Sequence, residues 1–563
     1  MINDEILGKI KYYNLIPILL TGFVVLFLRT KILNLYANFV GVTERDSMYT
    51  VYYYFFTILL LGLWGYFSFK FLRARRYHWL TGRSYEKDTH DFNKTYSSLV
   101  EFFTTNDPYK MDLEELPTEN WHYADGIILG KAKDKTGQYR LVKRDSNGTG
   151  NLATMGLPGC GKSTTQAATT ALRFNSKVRK GGCGVFAISI KGDLLKFVEG
   201  KRKNIKVFTP DNEDGSCHYN PLEGLSDMSS TEQRTFIENL SIIICPDENG
   251  DNSMFFVKGA RDYFCAITHY LLHKHSIGEL KGELEFPELV DAILMGNVFD
   301  VTMTIKNSSC KVAGEYSNSY EGSNEKNVSG IYNHLCKCMR PFNSGALRVL
   351  FDGKGDCIKP EDLETHDIYI DVPQDKYQVY APAMAIITTN FLSAFMKRKD
   401  VATGEKVTPV LFLLDEAVQL NLDYKFLSQA MSTLRSKKVS IFLLFQSIAQ
   451  LEGRYGEAHA REIIDLCAYI SVFNAQDPKS RKFFQELIGR RKMLKRSTSL
   501  SSPTGNKNGT SGTSVSVVDE YIFETADFGD LNQYNKKTKQ VTKRVLIYAN
   551  GKYVLGETTP YYE

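Results

Sequence analysis

The octapeptide Gly156-Leu157-Pro158-Gly159-Cys160-Gly161-Lys162-Ser163 matches the pattern G-x-x-x-x-G-K-S/T at every specified position. Glycines allow such a loop to wrap closely around phosphate and to point successive N–H groups inward. Lys162 would then reach the β- and γ-phosphates, and Ser163 would offer its hydroxyl to Mg²⁺. The other residues expected to line the phosphates are Gly156, Gly159, Cys160, Gly161 and Thr164. The octapeptide predicts a nucleotide-binding loop (P-loop); the alternative is a glycine-rich turn with an exposed lysine.

The flanking residues supply the context that this loop requires. Residues 150–155 predict a short strand before it, and residues 164–174 predict a helix after it. Further apolar runs predict buried strands at 183–190, 207–208 and 367–372. The chain therefore predicts an α/β fold built around a P-loop.

A second strand ends in two carboxylates. Residues 410–414 form a continuous apolar run, as expected for a strand buried on both faces of a parallel sheet, and Asp415 and Glu416 follow it. Ligands of α/β sheets lie at such carboxyl ends. We expect Asp415 to hold Mg²⁺ and Glu416 to polarise an attacking water, which predicts hydrolysis of ATP. The alternative is that the acidic pair only caps a helix.

The region between Ser163 and Asp415 is longer than a minimal strand-helix core needs. Residues 226–338 change to helical patterns and polar loops, and apolar residues recur at helical spacing over 255–272. This texture predicts an all-α domain over 226–338. The nucleotide-binding domain would then consist of residues 81–225 and 339–563.

Residues 1–80 predict a membrane anchor with two transmembrane helices. Uncharged runs cover 12–28 and 49–69, and only the second reaches the roughly 20 residues that a span needs. A cleaved signal peptide is the alternative for the first run, although Arg29 and not a small-residue cleavage site follows it. The basic cluster Lys70, Arg73, Arg75 and Arg76 predicts a cytoplasmic end after the second run. Both termini would be cytoplasmic, with an external loop over about residues 29–48.

Composition restricts the class of protein but identifies no partner. With 43% hydrophobic and 24% charged residues in 563, the chain is ordinary for a globular protein and neither disordered nor fibrous. A net charge of +5 is too small to indicate nucleic acid by itself. The ten cysteines are scattered without a CxxC pair, which predicts reduced thiols and no zinc site.

The C-terminal third contains two basic segments. Residues 479–496 are rich in Lys and Arg with the single acid Glu486, and residues 533–544 have basic residues and no acid. Such segments suit contacts to DNA phosphates, but a solvated face or a surface facing anionic lipid is the open alternative. The Ser/Thr/Gly-rich residues 497–516 predict a mobile loop between strands. Asn550-Gly551 between two apolar runs predicts a hairpin over 545–555.

Several further motifs resemble the coupling-protein ATPases of type IV secretion and conjugation, the TraG/TraD group. The resemblance covers nearly the whole chain and rests on Lys191-Gly192-Asp193, Thr209-Pro210, His218-Tyr219-Asn220-Pro221-Leu222, Asp251-Asn252-Ser253-Met254-Phe255-Phe256, Gly322-Ser323-Asn324-Glu325-Lys326, Phe445-Gln446-Ser447 and Tyr561-Tyr562. The chain departs from the family at Phe256, where Trp is usual, and at Thr209, where many relatives have aspartate. Any role of that aspartate is not carried over.

The resemblance implies a RecA-like core, an all-α domain and a membrane stem, assembled as a homo-hexameric ring in the bacterial plasma membrane. It implies that ATP is hydrolysed between subunits. Gln446 follows the apolar run 443–445, a second buried strand end where a side-chain amide could sense the γ-phosphate, and Arg435 is the candidate for an arginine finger acting across the interface. An ordinary strand-end glutamine is the alternative for Gln446, and nearby arginines are alternatives to Arg435.

Two functions of different class follow. The first is an ATP-driven motor that delivers single-stranded DNA with its attached relaxase to a type IV secretion channel. The second is a receptor whose all-α domain recruits protein effector cargo to the channel, with ATP gating the transfer. A chromosome translocase of the FtsK type is a third possibility, although such proteins more often have further spans and a winged-helix domain.

Overall fold

The structure is a computed structural model that describes residues 12–41, 47–81, 110–111, 113, 124–177, 182–190, 193–247, 251–318, 320, 322, 324–343, 345–402, 405–500, 511–529, 531, 533–535 and 540–562. The chain divides into two units. The first comprises residues 1–107 and 490–520, and the second comprises residues 108–489 and 521–563.

Fifteen strands occur in the described ranges: β1 Ile127–Lys133, β2 Tyr139–Arg144, β3 Asn151–Met155, β4 Val185–Ser189, β5 Ile205–Phe208, β6 Asp367–Asp371, β7 Val410–Leu414, β8 Val439–Phe445, β9 Cys467–Val472, β10 Arg490–Leu500, β11 Ser511–Tyr521, β12 Gln533–Asn535, β13 Gln540–Thr542, β14 Arg544–Ala549 and β15 Lys552–Glu557. The α-helices in the same ranges are α1 Tyr12–Val40, α2 Ser47–Thr81, α3 Ala168–Arg173, α4 Asp193–Val198, α5 Ser230–Ile244, α6 Asp251–Ser276, α7 Phe286–Leu294, α8 Val298–Lys306, α9 Lys311–Asn318, α10 Glu325–Met339, α11 Gly345–Leu350, α12 Tyr377–Met396, α13 Tyr424–Thr433, α14 Ile448–Tyr455, α15 Glu457–Asp465 and α16 Pro478–Ile488.

One large sheet forms the centre of the second unit, with the strand order β2-β1-β15-β14-β9-β3-β8-β7-β4-β6-β5. Within the run from β9 to β5, each strand pairs parallel with the next. β3, β4, β7 and β8 are buried along their whole length, which explains their continuous apolar sequences. The predicted strands at 150–155, 183–190, 207–208, 367–372 and 410–414 are confirmed as β3, β4, β5, β6 and β7.

The C-terminal hairpin joins the parallel strands to β1 and β2. β14 pairs antiparallel with β9 and with β15, and β15 pairs antiparallel with β1. Asn550 and Gly551 turn the chain with φ angles of 50° and 78°. Two positive φ angles in a two-residue turn match the twist of the flanking strands. The predicted hairpin is confirmed.

Helices α5 to α11 lie between β5 and β6 in the chain. The predicted helix at 255–272 lies inside α6. α6 and α10 pack so closely that glycine is needed at two positions of their contact. A Cβ on Gly259 would lie 2.7 Å from the Ile331 side chain, and one on Gly330 would lie 2.7 Å from Phe256. Helices continue past residue 338 to Leu350. The assignment of 226–338 as a separate domain stays a prediction.

α1 and α2 pack as an antiparallel pair in the first unit. The Trp64 indole N–H donates to Thr21 Oγ1 over 3.3 Å, and the Tyr49 hydroxyl donates to Asn34 Oδ1 over 3.0 Å. Among the described residues, three helices are long and apolar enough to cross a membrane: Leu19–Val40, Tyr49–Lys70 and Tyr377–Met396. The third is α12, whose apolar residues are largely buried in the protein core.

The expected external loop over residues 29–48 is wrong for residues 29–40, because α1 continues through Arg29 to Val40, and residues 42–46 lie outside the described ranges. The Arg29 guanidinium lies 4.7 Å from the ring of Tyr53 on α2. This cation–π contact stabilises the charge within the helix pair, so Arg29 does not end the helix. Leu33 and Ala37 are buried, which continues the helix pairing beyond Arg29.

The expected loop over 497–516 is also wrong in part. β10 extends to Leu500 and β11 begins at Ser511, and these two strands form a two-stranded sheet. Ser and Thr are compatible with a strand whose backbone hydrogen bonds come from a partner strand. The basic segment 479–496 is accordingly divided between α16 and β10.

Some predictions fall on residues outside the described ranges. They concern residues 501–510 of the expected loop and Lys191, Gly192, Ser323, Lys536, Lys537 and Lys539, together with the side chains of Arg73, Arg75 and Arg76.

Candidate nucleotide-binding site

Parallel pairing brings the candidate site residues to one edge of the sheet. Met155 at the end of β3 is in register with Phe445 at the end of β8, and Leu414 at the end of β7 is in register with Leu443. The residues that follow these strands are the P-loop, Gln446 and the Asp415-Glu416 pair. All three motifs therefore follow carboxyl ends at the same edge, where α/β sheets bind ligands.

The glycines of the P-loop are required for two different reasons. Gly159 and Gly161 have φ angles of 78° and 107°, in the left-handed region that other residues rarely adopt. Gly156 is needed for space, because a Cβ there would lie 2.6 Å from Cys160 Sγ and 2.9 Å from Phe473 Cβ. The loop is thus held in a compact shape that exposes its backbone to a ligand.

Lys162 is folded over the loop and is buried. Its ammonium donates to the carbonyl of Gly156, and to that of Leu157 over 3.3 Å. Burial raises the pKa of the Cys160 thiol, although Lys162 opposes this effect, so the thiol is neutral at physiological pH. The loop therefore contains no thiolate that would repel a phosphate.

The chain after the P-loop begins with a π-helical turn at Ser163–Ala167 before α3. The predicted helix 164–174 is therefore present, but it is not α-helical from its start. The Thr165 N–H and hydroxyl both donate to the Gly161 carbonyl, over 2.9 Å and 2.7 Å. Because Thr165 is bonded to Gly161, the intervening residues Ser163 and Thr164 are kept close to the glycines of the P-loop.

The two acids and Gln446 form a second cluster at this edge. Asp415 and Glu416 are both buried, and Glu416 has a left-handed φ of 51°. The Gln446 side-chain amide donates to both Glu416 carboxylate oxygens, over 3.2 Å and 3.1 Å. Left-handed backbone on a glutamate is strained and rare. The cluster therefore couples Glu416, in the acidic pair after β7, to Gln446, the residue after β8.

The residues present are suited to Mg²⁺. The Ser163 hydroxyl and the Asp415 carboxylate are hard oxygen ligands, which this ion prefers. Within the described part of the chain, no group of three or more His, Cys, Asp or Glu side chains could hold a metal ion. A site that uses one carboxylate, one hydroxyl and phosphate oxygens does not need such a group.

Arg435 is not brought to this edge within the same chain. It is exposed on the 3₁₀ turn Leu434–Lys437, which immediately precedes the start of β8. Gln446 follows the other end of β8, and a strand of that length spans roughly 20 Å. An action of Arg435 on phosphate would have to occur in a neighbouring subunit.

Several residues that support the P-loop were not predicted. Asn474 Oδ1 accepts a hydrogen bond from the Leu157 N–H over 2.9 Å. The only signal for Asn474 is a polar residue two positions after the end of β9. The C-terminal segment also contacts the helix that follows the loop, since the Tyr561 N–H donates to the Thr164 carbonyl and the Thr169 hydroxyl donates to the Thr559 carbonyl. These contacts join residues that are far apart in sequence.

Together, the sheet and the site define an α/β protein with a P-loop. A family model described as "Type IV secretory system Conjugative DNA transfer" matches residues 109–551. The chain belongs to this family of conjugative DNA-transfer proteins of type IV secretion systems.

Curated relatives are type IV secretion system-coupling proteins VirD4. The protein of Bartonella quintana (strain Toulouse) is 23% identical over 305 residues, which are 53% of this chain and 46% of the relative. That of Bartonella henselae is 22% identical over the same length and coverage. The matched region thus spans about half the length of these curated relatives.

Among solved structures, the fold is similar to that of the bacterial conjugative coupling protein TrwBdeltaN70 in its unbound form. The TM-score is 0.54 at 14% identity, with 73% of this chain and 85% of that chain covered. The complex of TrwB with ADP and Mg²⁺ gives a TM-score of 0.53 at 13% identity and the same coverage. At this identity the comparison concerns the fold alone.

Proposed function

We propose that the protein is a membrane-anchored coupling ATPase that delivers DNA to a type IV secretion channel during conjugation. The observation that carries this proposal is the convergence of the P-loop, the Asp415-Glu416 pair and Gln446 at one sheet edge in a member of the conjugative DNA-transfer family. The cargo would be single-stranded DNA with its attached relaxase. Complexes of TrwB with ADP and Mg²⁺, with an ATP analogue and with a GTP analogue support nucleotide binding.

Each residue at the edge has a role in this proposal. Lys162 exchanges its loop carbonyl partners for the β- and γ-phosphates, and the backbone of Gly156, Gly159, Cys160 and Gly161 surrounds them. Ser163 and Asp415 would hold Mg²⁺, which supplies positive charge at the phosphate oxygens. Glu416 accepts a proton from the attacking water.

Gln446 connects hydrolysis to movement. Its amide N–H groups donate to the Glu416 carboxylate in this structure, and they would exchange this partner for a γ-phosphate oxygen. A change of partner at Gln446 would be transmitted to α14, because the Gln446 N–H donates to the Gln450 side chain. Gln446 would therefore report whether the γ-phosphate is present.

The assembly is part of the same proposal. A homo-hexameric ring with a RecA-like core would place Arg435 of one subunit against the nucleotide of the next. α1 and α2 would span the bacterial plasma membrane and leave both termini in the cytoplasm. The exposed apolar residues of both helices support a membrane location.

The test uses the full chain in detergent, after ring formation has been verified by mass measurement. We expect ATP hydrolysis that single-stranded DNA stimulates and that Lys162→Ala abolishes, because the ammonium at the phosphates is lost. A matched control is Lys552→Ala, an exposed lysine on the β14–β15 hairpin. Absence of any Lys162-dependent hydrolysis in assembled rings would contradict the proposal.

A specific surface favours a protein receptor as the second candidate function. Met295, Phe299 and Met303 in the helical region are 79%, 45% and 57% exposed. Phe299 and Met303 are four residues apart on α8 and therefore share one face of that helix. Exposed methionine and phenylalanine side chains are common at surfaces that bind several partners.

The same experiment separates the two functions. A Lys162-dependent rate that single-stranded DNA does not change would favour the receptor of protein cargo. A Phe299→Ser/Met303→Ser variant should then lose cargo binding while it keeps its ATPase rate, since both side chains are exposed on α8 and neither belongs to the nucleotide site.

A further inference from the structure

Lys543 lies at the P-loop although the sequence groups it with the basic segment 533–544. Its ammonium is 3.7 Å from the position that a Cβ atom on Gly161 would occupy. Lys162 approaches the same loop from within it. Two cationic side chains therefore approach one anion-binding loop: Lys162 belongs to the loop itself, and Lys543 comes from the start of the C-terminal hairpin.

The topology of the sheet explains how Lys543 reaches this position. β14 runs antiparallel to β9, with Leu546 in register with Val472 at the carboxyl end of β9. The start of β14 therefore lies at the edge where the parallel strands end. Lys543 directly precedes β14 and is placed at that edge by the pairing.

The backbone of Lys543 is anchored. Its carbonyl accepts a hydrogen bond from the Thr558 N–H over 3.1 Å, and the adjacent Arg544 is in register with Glu557. The chain beyond Thr558 is joined to the P-loop helix through Thr559 and Tyr561. Only the side chain of Lys543 remains exposed, so it can move onto a ligand without a change in the sheet.

We propose that Lys543 is a second phosphate-binding residue of the nucleotide site, which contacts the polyphosphate of ATP in the same subunit. A P-loop supplies backbone N–H groups and one ammonium, and a further ammonium adds a charge-assisted hydrogen bond to a phosphate oxygen. The inference rests on the proposed nucleotide binding. It removes Lys543 from the residues expected to contact DNA phosphates.

The test compares Lys543→Ala, Lys543→Arg and Lys552→Ala in the full chain in detergent. Equilibrium binding of a non-hydrolysable ATP analogue is measured without DNA, so that hydrolysis and DNA stimulation do not enter. We expect Lys543→Ala to weaken binding about tenfold, as for the loss of one charge-assisted hydrogen bond. Lys543→Arg should restore most of the affinity, and Lys552→Ala should leave it unchanged.

Binding of single-stranded DNA is measured on the same variants. Unchanged nucleotide affinity in Lys543→Ala would overturn the inference, and weaker DNA binding in the same variant would return Lys543 to the DNA-contacting set. If the wild-type chain and Lys162→Ala both fail to bind the analogue, the proposed function and this inference are overturned together. Wild-type binding with an indifferent Lys543→Ala overturns the inference alone.

Discussion

Gly156 and Cys160 contact each other across the P-loop, so the two positions depend on one another. The crowding at Gly156 comes from the Cys160 sulfur and from Phe473, which follows β9. The carbonyl of Gly156 also accepts a hydrogen bond from Lys162. A displacement of Gly156 would therefore move the carbonyl that positions the ammonium.

Gly156→Ala should reduce the affinity for ATP at least tenfold, because overpacking costs about 1–3 kcal/mol and the loop must move to relieve it. The double variant Gly156→Ala/Cys160→Ala should recover part of the loss, since the nearest obstructing atom is removed. Equilibrium binding of the ATP analogue measures both effects. Gly453→Ala is the control, because a Cβ there meets no atom within 4 Å. Wild-type affinity in Gly156→Ala would contradict the expected crowding.

Local patterns were sufficient to predict some residues of the site but not others. Lys162, Asp415 and Glu416 stand in motifs whose chemistry is contained in a few neighbouring positions. Asn474 and Lys543 belong to no such motif, because each reaches the loop only after β9 and β14 have paired. The roles assigned to all of these residues stay predictions.

At the scale of elements, a buried ion pair joins the chain after α4 to β6. Arg202 donates from Nε to Asp367 Oδ2 and from one terminal nitrogen to Asp367 Oδ1, each over 2.7 Å. Asp367 Oδ1 also accepts from the N–H of Val185 at the start of β4. Both charged side chains are almost fully buried, so each depends on the other for compensation.

Asp367→Ala should lower the free energy of unfolding by about 3–5 kcal/mol, because the Arg202 charge would remain buried without its partner. Thermal unfolding followed by circular dichroism provides the measurement. Asp247→Ala is the matched control, since its ion pair with Arg261 is formed by a carboxylate that is 65% exposed. Such a pair contributes about 0–1 kcal/mol. Equal shifts in the two variants would show that burial of the pair is not the cause.

Prediction of elements succeeded where burial imposes a simple pattern. Strands covered on both faces appear as continuous apolar runs, and the Asn550-Gly551 turn has a backbone requirement of its own. The prediction of a loop was wrong for residues 29–40 and for parts of 497–516. There, charged or polar residues are accommodated by a partner, namely Tyr53 on α2 for Arg29 and strand β11 for β10.

At the scale of the whole molecule, the proposed ring makes a prediction about Arg435. Within one chain Arg435 precedes β8, whereas the P-loop and Gln446 lie at the opposite edge of the sheet. If Arg435 acts on the neighbouring nucleotide, the active site is shared between two subunits. Defects in the two halves of such a site can complement each other.

Arg435→Ala and Glu416→Gln should each reduce ATP hydrolysis by at least about 10²-fold when present in all subunits. The two variants are co-expressed with separate tags so that mixed rings can be isolated. Hydrolysis should be restored at about one interface in four, where a subunit with intact Arg435 meets a subunit with intact Glu416. Arg234→Ala is the control arginine, since it is exposed on α5 in the helical region, and it should remain active alone. Mixed rings as inactive as the parents would contradict a shared site.

The chain alone was enough to predict an α/β fold, the P-loop, the strand that leads to Asp415-Glu416 and the family. These features depend on residues close in sequence, where backbone geometry, alternation and burial leave a readable pattern. Strand order, the Gln446–Glu416 contact, the position of Lys543 and the separation of Arg435 from the nucleotide edge required the folded structure. Each depends on which strands pair and in which direction, and those choices are made by long-range packing that no local pattern encodes.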